Sequence, residues 1–230
     1  MPASFLRICI TGGIACGKSL VGEILAEQGV PVREADDVCH ELMTSDVDLR
    51  RRLIDAFGRD IVTPDGGIDR QKLGQLVFVD PDRLVVLNRL VHPPARRAIA
   101  SWMAQRQAEA ASQAEAAGRV EAAVVTGCGW RGGAAAVVPL VYEAEWENNW
   151  DWIVCVGSPA PLQIERLKIR GLSEKEARSR LAAQLPVEEK MRRAHSVIFN
   201  TGTRQCVRRQ TEQWFHNLIN QRESSYGRKI

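Results

Sequence analysis

Near its start the chain carries a glycine-rich segment with the spacing G-x-x-x-x-G-K-S, made of Gly12, Gly13, Ile14, Ala15, Cys16, Gly17, Lys18 and Ser19. Gly12 and Gly17 let the backbone turn tightly, so that successive amide N–H groups can face one concavity and hold phosphate oxygens. Lys18 adds a compact positive charge, and the Ser19 hydroxyl is a hard oxygen ligand suited to Mg²⁺. We therefore predict that this segment, called the phosphate loop below, binds a nucleoside triphosphate and that Ser19 is its metal ligand.

The residues on either side supply the strand and the helix that such a loop needs. Residues 5–10 form a short apolar run, which predicts a buried strand. Val21, Ile24 and Leu25 then follow at helical spacing, and Gly29 ends the predicted helix. Because the N-terminus of a helix is its positive end, this helix would direct its dipole at the bound anion.

Composition and charge exclude several classes of protein. The 230 residues carry a net charge of only +3, which is too small to indicate a nucleic-acid partner. The six cysteines are scattered without a C-x-x-C pair, so neither a zinc site nor a disulfide framework is expected. No apolar stretch approaches the roughly 20 residues that span a bilayer, and no secretory signal is evident. We expect a cytoplasmic protein without membrane contact.

The chain alternates between strand-like and helical patterns. Strand-like runs occupy residues 5–10, 30–34, 152–156 and 196–199, and a further one lies at either 120–125 or 134–138. This alternation predicts a parallel sheet with helices on both faces. Residues 37–118 are too long for one crossover and have helical patterns. We predict a core of residues 1–36, 119–158 and 191–230, a helical domain of residues 37–118, and a second helical excursion over residues 159–190.

Six segments give the chain a likeness to a known family. They are Thr11-Gly12-Gly13-Ile14, Glu34-Ala35-Asp36-Asp37, Leu90-Val91-His92-Pro93, Val137-Val138-Pro139-Leu140-Val141-Tyr142-Glu143, Leu162-Gln163-Ile164-Glu165-Arg166-Leu167-Lys168-Ile169-Arg170 and Val197-Ile198-Phe199-Asn200-Thr201-Gly202. With these motifs the chain resembles the dephospho-coenzyme A kinases. That resemblance implies ATP-dependent phosphorylation of the ribose 3′-hydroxyl of dephospho-coenzyme A, the last step of coenzyme A synthesis, with Mg²⁺. It also implies an α/β fold of the P-loop kinase type, with a three-layer parallel-sheet core, a helical acceptor-substrate domain and a helical lid.

The resemblance implies a catalytic base at Asp36, at the end of the second strand. Strand ends that face a phosphate loop are where an open α/β sheet places its chemistry, and phosphoryl transfer needs one oriented base. The alternative is that Asp36 or Asp37 caps a helix beginning at Val38. Glu34 departs from the aspartate that is usual in the family, so its role stays open.

Two further motifs imply contacts with the acceptor substrate, and each has a plainer alternative. His92 precedes Pro93, and the alternative is a histidine at the point where prolines interrupt a helix. Glu143 follows an apolar strand that ends at Pro139, and the alternative is a surface carboxylate in an acidic stretch.

The fifth motif resembles the lid helix of the family. Arg166 and Arg170 are four residues apart and share a helix face, so as lid residues they would bind the phosphates and act in catalysis. Arg180 lies further along the lid and is assigned to substrate binding. A lid brings such groups in only after ATP binds, which excludes water. The alternative is a solvated helix face.

Asn200 lies in the sixth motif, just before a glycine turn. The resemblance implies that this turn holds the adenine of ATP, although asparagine before a glycine turn is also common for local reasons.

Departures from the family pattern leave rival functions open. Residues 126–134 form a glycine-rich insertion that follows one strand-like run and precedes another, as a hairpin or a disordered segment. If the wrong run fills the sheet, Glu143 is displaced and the protein could bind nucleotide without catalysis. Another P-loop kinase acting on a nucleoside or nucleotide is the alternative enzyme. A GTPase-type switch is disfavoured because the chain lacks N-K-x-D. We expect a monomer or a weak homo-oligomer.

Overall fold

The computed structural model describes residues 5–116, 130 and 132–227. These residues form two compact units. One is Glu34–Ser101, and the other comprises Met1–Arg33 with Trp102–Ile230. Sequence analysis places the boundaries of the helical domain at residues 37 and 118, whereas the smaller compact unit begins at Glu34 and ends at Ser101. Asp36 therefore belongs to the smaller unit rather than to the nucleotide-binding core.

The larger unit is built on a parallel sheet. Its strands are β1 (Leu6–Gly12), β2 (Val32–Glu34), β3 (Gly133–Val137), β4 (Trp152–Gly157) and β5 (Ser196–Phe199). The strand order is β2-β3-β1-β4-β5. Strand β1 pairs in parallel with β3 on one side and with β4 on the other, and β4 pairs in parallel with β5. The predicted parallel sheet is confirmed, and the run at residues 134–138 supplies its strand. The other candidate run, residues 120–125, lies outside the described residues.

Helices connect the strands and form most of the smaller unit. Their bounds are α1 (Lys18–Glu27), α2 (Ala35–Ser45), α3 (Val47–Phe57), α4 (Arg70–Phe78), α5 (Pro81–Ala116), α6 (Ala160–Ile169), α7 (Glu174–Ala182), α8 (Val187–Arg193) and α9 (Arg204–Gly227). The alternative in which prolines interrupt a helix is wrong, because α5 continues through Pro93 and Pro94.

The core of the larger unit lies around the central strands. Ile8 and Ile10 of β1 and Val154 of β4 are completely buried, which explains why these strands are rich in apolar residues. The residues of β3 are small and all buried. A Cβ at Gly133 would lie 2.1 Å from the carbonyl oxygen of Leu6, so only glycine allows this close pairing.

One residue of the glycine-rich insertion is part of this core. Trp130 is 3% exposed and packs edge-to-face on Phe215 of α9, with ring centroids 5.1 Å apart. An aromatic side chain buried in this way contributes both apolar area and a favourable ring contact. The insertion is therefore tied to the sheet core immediately before β3. Residues 126–129 and 131, on which the choice between hairpin and disorder depends, lie outside the described residues.

The smaller unit has an apolar core of its own. The buried residues of this core are Leu49, Leu53, Phe57, Ile61, Leu73, Val77 and Val91. The spacing of Leu49, Leu53 and Phe57 places them on one face of α3. Side-chain caps begin α3, α4 and α5, because Asp46, Asp69 and Asp80 each accept hydrogen bonds from amides in the first turn of the helix that follows.

Candidate active site

The phosphate loop connects β1 to α1, and its two spaced glycines are required by the backbone. The φ angle is +145° at Gly12 and +92° at Gly17. A Cβ at Gly12 would lie 2.2 Å from the carbonyl oxygen of Val156, and a Cβ at Gly17 would lie 2.4 Å from Nδ2 of Asn200. The first and last glycines of the motif are therefore fixed by conformation and by the approach of neighbouring segments.

Ala15 is a non-glycine residue of the loop with a left-handed backbone, with φ of +56°. This conformation costs an L-residue about 1–2 kcal/mol, so contacts elsewhere must hold it. Its buried side chain packs with Leu167 of α6 and Ala177 of α7. Its carbonyl accepts a hydrogen bond from Nη1 of Arg166 at 3.1 Å. The loop conformation is thus imposed by tertiary contacts.

Lys18 and Ser19 begin helix α1 at the end of the loop. Nζ of Lys18 donates to the carbonyl oxygens of Gly13 at 2.8 Å and Gly12 at 3.3 Å, which places the ammonium group over the start of the loop. Gly17 precedes the helix and offers no side chain to its first amides, and the first turn has no acidic residue. Ser19 is exposed. The positive end of α1 can therefore bind an anion, as the sequence predicts.

Cys16 contributes its backbone to the loop. Its side chain is completely buried. Burial raises the pKa of the thiol, and the nearby charge of Lys18 offsets part of that rise. The thiol therefore stays neutral near pH 7 and does not act as a nucleophile. Its carbonyl oxygen accepts a hydrogen bond from Nδ2 of Asn200 at 2.9 Å.

Asn200 and Arg166 form a bridge behind the loop that sequence reasoning did not predict. Asn200 is 8% exposed, and besides its bond to Cys16 its Oδ1 accepts from Nη2 of Arg166 at 3.1 Å. Arg166 also donates to the carbonyl oxygen of Asn200 at 2.9 Å and to Oγ of Ser158 at 3.0 Å. The guanidinium group also donates to the loop carbonyl of Ala15. The adenine contact of Asn200 and the catalytic role of Arg166 stay predictions.

The other predicted lid arginines are placed differently. Arg170 follows the last residue of α6 and is exposed. Arg180 lies in the last turn of α7 and is partly buried. Arg166 is partly buried and bonds to the phosphate loop whereas Arg170 is exposed, so their shared helix face does not give them the same surroundings. Their action on phosphate stays a prediction.

Residues 159–190, called the lid segment below, contain α6, α7 and the start of α8. Ile14 and Ala15 of the loop pack against an apolar cluster in this segment that includes Ile164, Leu167 and Leu181. A cavity of about 450 Å³ is lined by Gly13 and Ile14 and by residues of α6, α7 and the chain that follows them. The start of the loop and the lid segment therefore border a common space.

Glu143 lies at the end of the turns that follow β3. Its Oε1 lies 2.6 Å from Nζ of Lys190 and accepts from the amide of Leu185 at 3.0 Å. Lys190 is 0% exposed, and sequence reasoning missed it, since a lysine in a run of charged residues is usually solvated. One oxygen of Glu143 is thus used within the protein, and its contact with the acceptor stays a prediction.

The acidic pair of the smaller unit lies inside a helix. Helix α2 begins at Ala35, with Glu34 as the preceding residue, so Asp36 and Asp37 occupy its first turn. The alternative, in which one of them caps a helix starting at Val38, is therefore wrong. Both side chains are exposed. The charge of Asp36 is close enough to add to the burial that raises the pKa of Cys39 to about 11.

His92 lies within α5 and is partly buried. Pro93 and Pro94 follow it directly inside the helix, so the expected helix boundary at His92 does not exist. Its contact with the acceptor substrate stays a prediction.

Sheet order, loop geometry and helical segments together define the class. A five-stranded parallel sheet with a G-x-x-x-x-G-K-S loop after the central strand β1 is the fold of P-loop kinases. Within the described residues no helix is long and apolar enough to cross a membrane.

Comparison with known proteins identifies the family within this class. Residues 6–121 and 133–205 match the family model of dephospho-CoA kinase. The dephospho-CoA kinase of Thermosynechococcus vestitus is 36% identical over 215 residues, which are 93% of this chain and 95% of that protein. That of Symbiobacterium thermophilum is 40% identical over 206 residues, which are 89% of this chain and 78% of that protein. The chain belongs to the dephospho-CoA kinase family.

A solved structure supports the fold along most of the chain. The crystal structure of TT1252 from Thermus thermophilus has a TM-score of 0.68 and 28% identity, and the match covers 94% of this chain and 98% of that one. The family match omits residues 122–132, which overlap the glycine-rich insertion. The insertion is therefore an addition to the family pattern, whereas β3 belongs to it.

Proposed function

We propose that this chain transfers the γ-phosphoryl group of ATP to the ribose 3′-hydroxyl of dephospho-coenzyme A, giving coenzyme A and ADP. The observation that carries the proposal is the phosphate loop in a chain of this family. Gly12 and Gly17 are sterically required there, and the loop ends at a helix N-terminus without a side-chain cap. This arrangement supports binding of a triphosphate.

Lys18 and α1 neutralise the phosphates in this mechanism. The ammonium group of Lys18 bonds to the carbonyls of Gly12 and Gly13. Phosphate oxygens are stronger acceptors because they are charged, so Lys18 would exchange these bonds for the β- and γ-phosphates. Phosphoryl transfer depends mostly on such positioning and charge stabilisation.

The described residues fit a magnesium ion that the nucleotide largely holds. They contain no group of three or more His, Cys, Asp or Glu side chains that could bind a metal by themselves. Mg²⁺ in kinases needs only one or two protein oxygens besides phosphates and water, and the exposed hydroxyl of Ser19 in the first turn of α1 provides one. When bound, the ion would neutralise charge on the β- and γ-phosphates.

Asp36 is the proposed base. As an exposed carboxylate in the first turn of α2, it can accept the proton of the attacking hydroxyl. Arg166 and Arg170 are proposed to stabilise the transferring group. His92, Glu143 and Arg180 are proposed to contact the acceptor substrate. Asn200 is proposed to hold the adenine. A cytoplasmic location and a monomeric or weakly associating state stay predictions.

The binding-only alternative requires the glycine-rich insertion to displace the segment after β3. The register of β3 on β1 speaks against this, since Val137 pairs with Ile10 and the amide of Val138 donates to Ile10. Pro139 then follows directly. The position of β3 therefore supports catalysis.

Formation of coenzyme A tests the proposal directly. The purified protein is mixed with Mg-ATP and dephospho-coenzyme A, and coenzyme A is measured by mass spectrometry. Adenosine, a nucleoside, and AMP, a nucleotide, are tested as alternative acceptors. We expect coenzyme A and an equal amount of ADP. ATP binding without product would favour the binding-only alternative, and faster transfer to a nucleoside would favour another P-loop kinase.

A further inference from the structure

Lys190 is a completely buried charged residue that the proposed mechanism does not use. It lies in α8 with 0% of its side chain exposed. Its Nζ lies 2.6 Å from Oε1 of Glu143 and donates to the carbonyl oxygen of Pro139 at 2.9 Å. A buried ammonium group must be paired because desolvation of an isolated charge is very costly. Both partners belong to the segment that follows β3.

This ion pair connects two parts of the larger unit. Oε1 of Glu143 also accepts from the amide of Leu185, between α7 and α8, at 3.0 Å. The C-terminal end of the lid segment is thus fastened to the turns after β3. The carbonyl of Pro139 in turn lies 3.4 Å from Oγ1 of Thr11, the residue immediately before the phosphate loop.

Stability alone does not account for the pair. The attraction within a buried ion pair often only balances the desolvation of its two charges. Oε2 of Glu143 is buried and has no hydrogen-bond partner within the described residues, which adds an unfavourable contribution. What the pair does provide is a fixed geometry, because Pro139, Glu143 and Leu185 are all held around one point.

We propose that Lys190 is a positioning residue for phosphoryl transfer. Through Glu143 and the carbonyl of Pro139 it holds the C-terminal end of the lid segment beside the phosphate loop. This inference rests on the proposed function. A kinase lid excludes water from the transferring phosphoryl group. If the C-terminal end of the lid segment is loosened, phosphoryl transfer to the acceptor should therefore fall and transfer to water should rise.

The test separates position from stability by replacing both charges. Lys190→Met alone leaves Glu143 buried and uncompensated and will destabilise the fold. The double variant Lys190→Met/Glu143→Leu removes both charges at similar volume, so its stability should be close to that of the wild type. Arg192→Met is the matched control, because Arg192 lies in the same helix and forms an exposed pair with Glu189.

Three quantities are measured for each variant: the melting temperature, kcat and KM for coenzyme A formation, and ADP released per coenzyme A formed. For the double variant we expect a near-normal melting temperature, a kcat lowered about 10-fold or more with a smaller change in KM for ATP, and more ADP released per coenzyme A. Arg192→Met should leave all three unchanged. A stable double variant with normal kcat and normal ADP release would overturn the inference.

A third variant decides the case if the first two do not fold. Lys190→Arg keeps the charge, but a planar guanidinium group cannot reproduce the geometry of an ammonium group. We expect it to fold with a lowered kcat, and a normal kcat would overturn the inference. A wild-type protein that binds ATP but forms no coenzyme A would overturn the proposed function and this inference together. A wild type that forms coenzyme A, with variants that do so equally well, would overturn the inference alone.

Discussion

The phosphate loop and the first turn of α2 are both assigned to phosphoryl transfer, but the protein holds them in different ways. In the loop, Gly17 lies against the amide of Asn200, and backbone carbonyls accept bonds from Asn200 and Arg166. In α2, Asp36 and Asp37 are exposed, and no side-chain cap begins the helix. A change in the loop should therefore affect both folding and function, whereas a change at Asp36 should affect function alone.

The largest expected effect comes from Asp36→Asn. Loss of a general base lowers kcat by about 10²–10⁴, while an exposed side chain without a capping bond contributes little to the free energy of unfolding. The rate of coenzyme A formation, the affinity for ATP and the melting temperature are measured together. Asp37→Asn in the same turn is the control and should keep most of the activity. An unchanged rate for Asp36→Asn would remove Asp36 from the mechanism.

Gly17→Ala should show the opposite behaviour, with stability and function falling together. The positive φ of +92° and the 2.4 Å approach of its Cβ to Nδ2 of Asn200 both oppose a side chain here. Strain of this kind costs about 1–3 kcal/mol, and a displaced loop loses its aligned amides. Chemical denaturation and ATP titration measure the two effects. Gly66→Ala, also at positive φ but with no atom within 4 Å of its Cβ, is the control for strain without collision.

If Gly17→Ala bound ATP with normal affinity, the loop would not depend on that approach. If Gly66→Ala destabilised the protein as much, backbone strain alone would explain the loss of stability. Only a larger effect at Gly17, joined to weaker ATP binding, supports the contrast drawn between the loop and α2.

The sequence predicted the fold better than it predicted the contacts between segments. Strand β4 is a continuous apolar run and β1 is apolar apart from Arg7 and Thr11, so their burial can be read from composition along the chain. Gly12 and Gly17 follow from a spacing that local backbone geometry dictates. The start of α2 was misplaced because Asp36 and Asp37 have the composition of a cap, although the helix begins before them.

Lys190 shows where sequence reasoning reaches its limit. It stands among Glu188, Glu189 and Arg192, a charged run that predicts a solvated helix face. Its burial depends on Glu143, which is 47 positions away in the sequence but contacts Lys190 in the folded protein. The hydrogen bond between Arg166 and Asn200 could not be predicted for the same reason, because the two residues lie in separate segments of the larger unit. Only the tertiary structure brings such pairs together.

Asn200→Ala probes the loop from behind and should have an intermediate effect. It leaves the carbonyl of Cys16 and the guanidinium of Arg166 each without one partner in a buried region. Each lost bond of this kind costs about 1–3 kcal/mol. We expect lower stability in chemical denaturation and weaker ATP binding in calorimetry. Asn217→Ala in α9 is the control. Weaker ATP binding at unchanged stability would instead favour a direct contact between Asn200 and the adenine.

The smallest effect is expected at the opposite end of β1 from the loop. There Arg7 donates to both carboxylate oxygens of Asp151 at 2.8–3.0 Å. Burial raises the pKa of Asp151, but the hydrogen bonds and charge of Arg7 outweigh it and leave the pKa below its usual value. A lowered pKa in the folded state means that the ionised form stabilises the protein at neutral pH, and that this stabilisation is lost as the pH falls below about 4.

Asp151→Asn should therefore cost no more than about 1 kcal/mol at pH 7, because the pair is partly exposed and screened by solvent. The difference in unfolding free energy between wild type and variant should shrink as the pH falls below about 4. The kcat for coenzyme A formation should stay normal at neutral pH, since this end of β1 lies away from the loop. Denaturation curves across this pH range provide the measurement. A difference that persists in acid would show that the pair acts through packing, and a lowered kcat would show that strain at one end of β1 reaches the phosphate loop at the other.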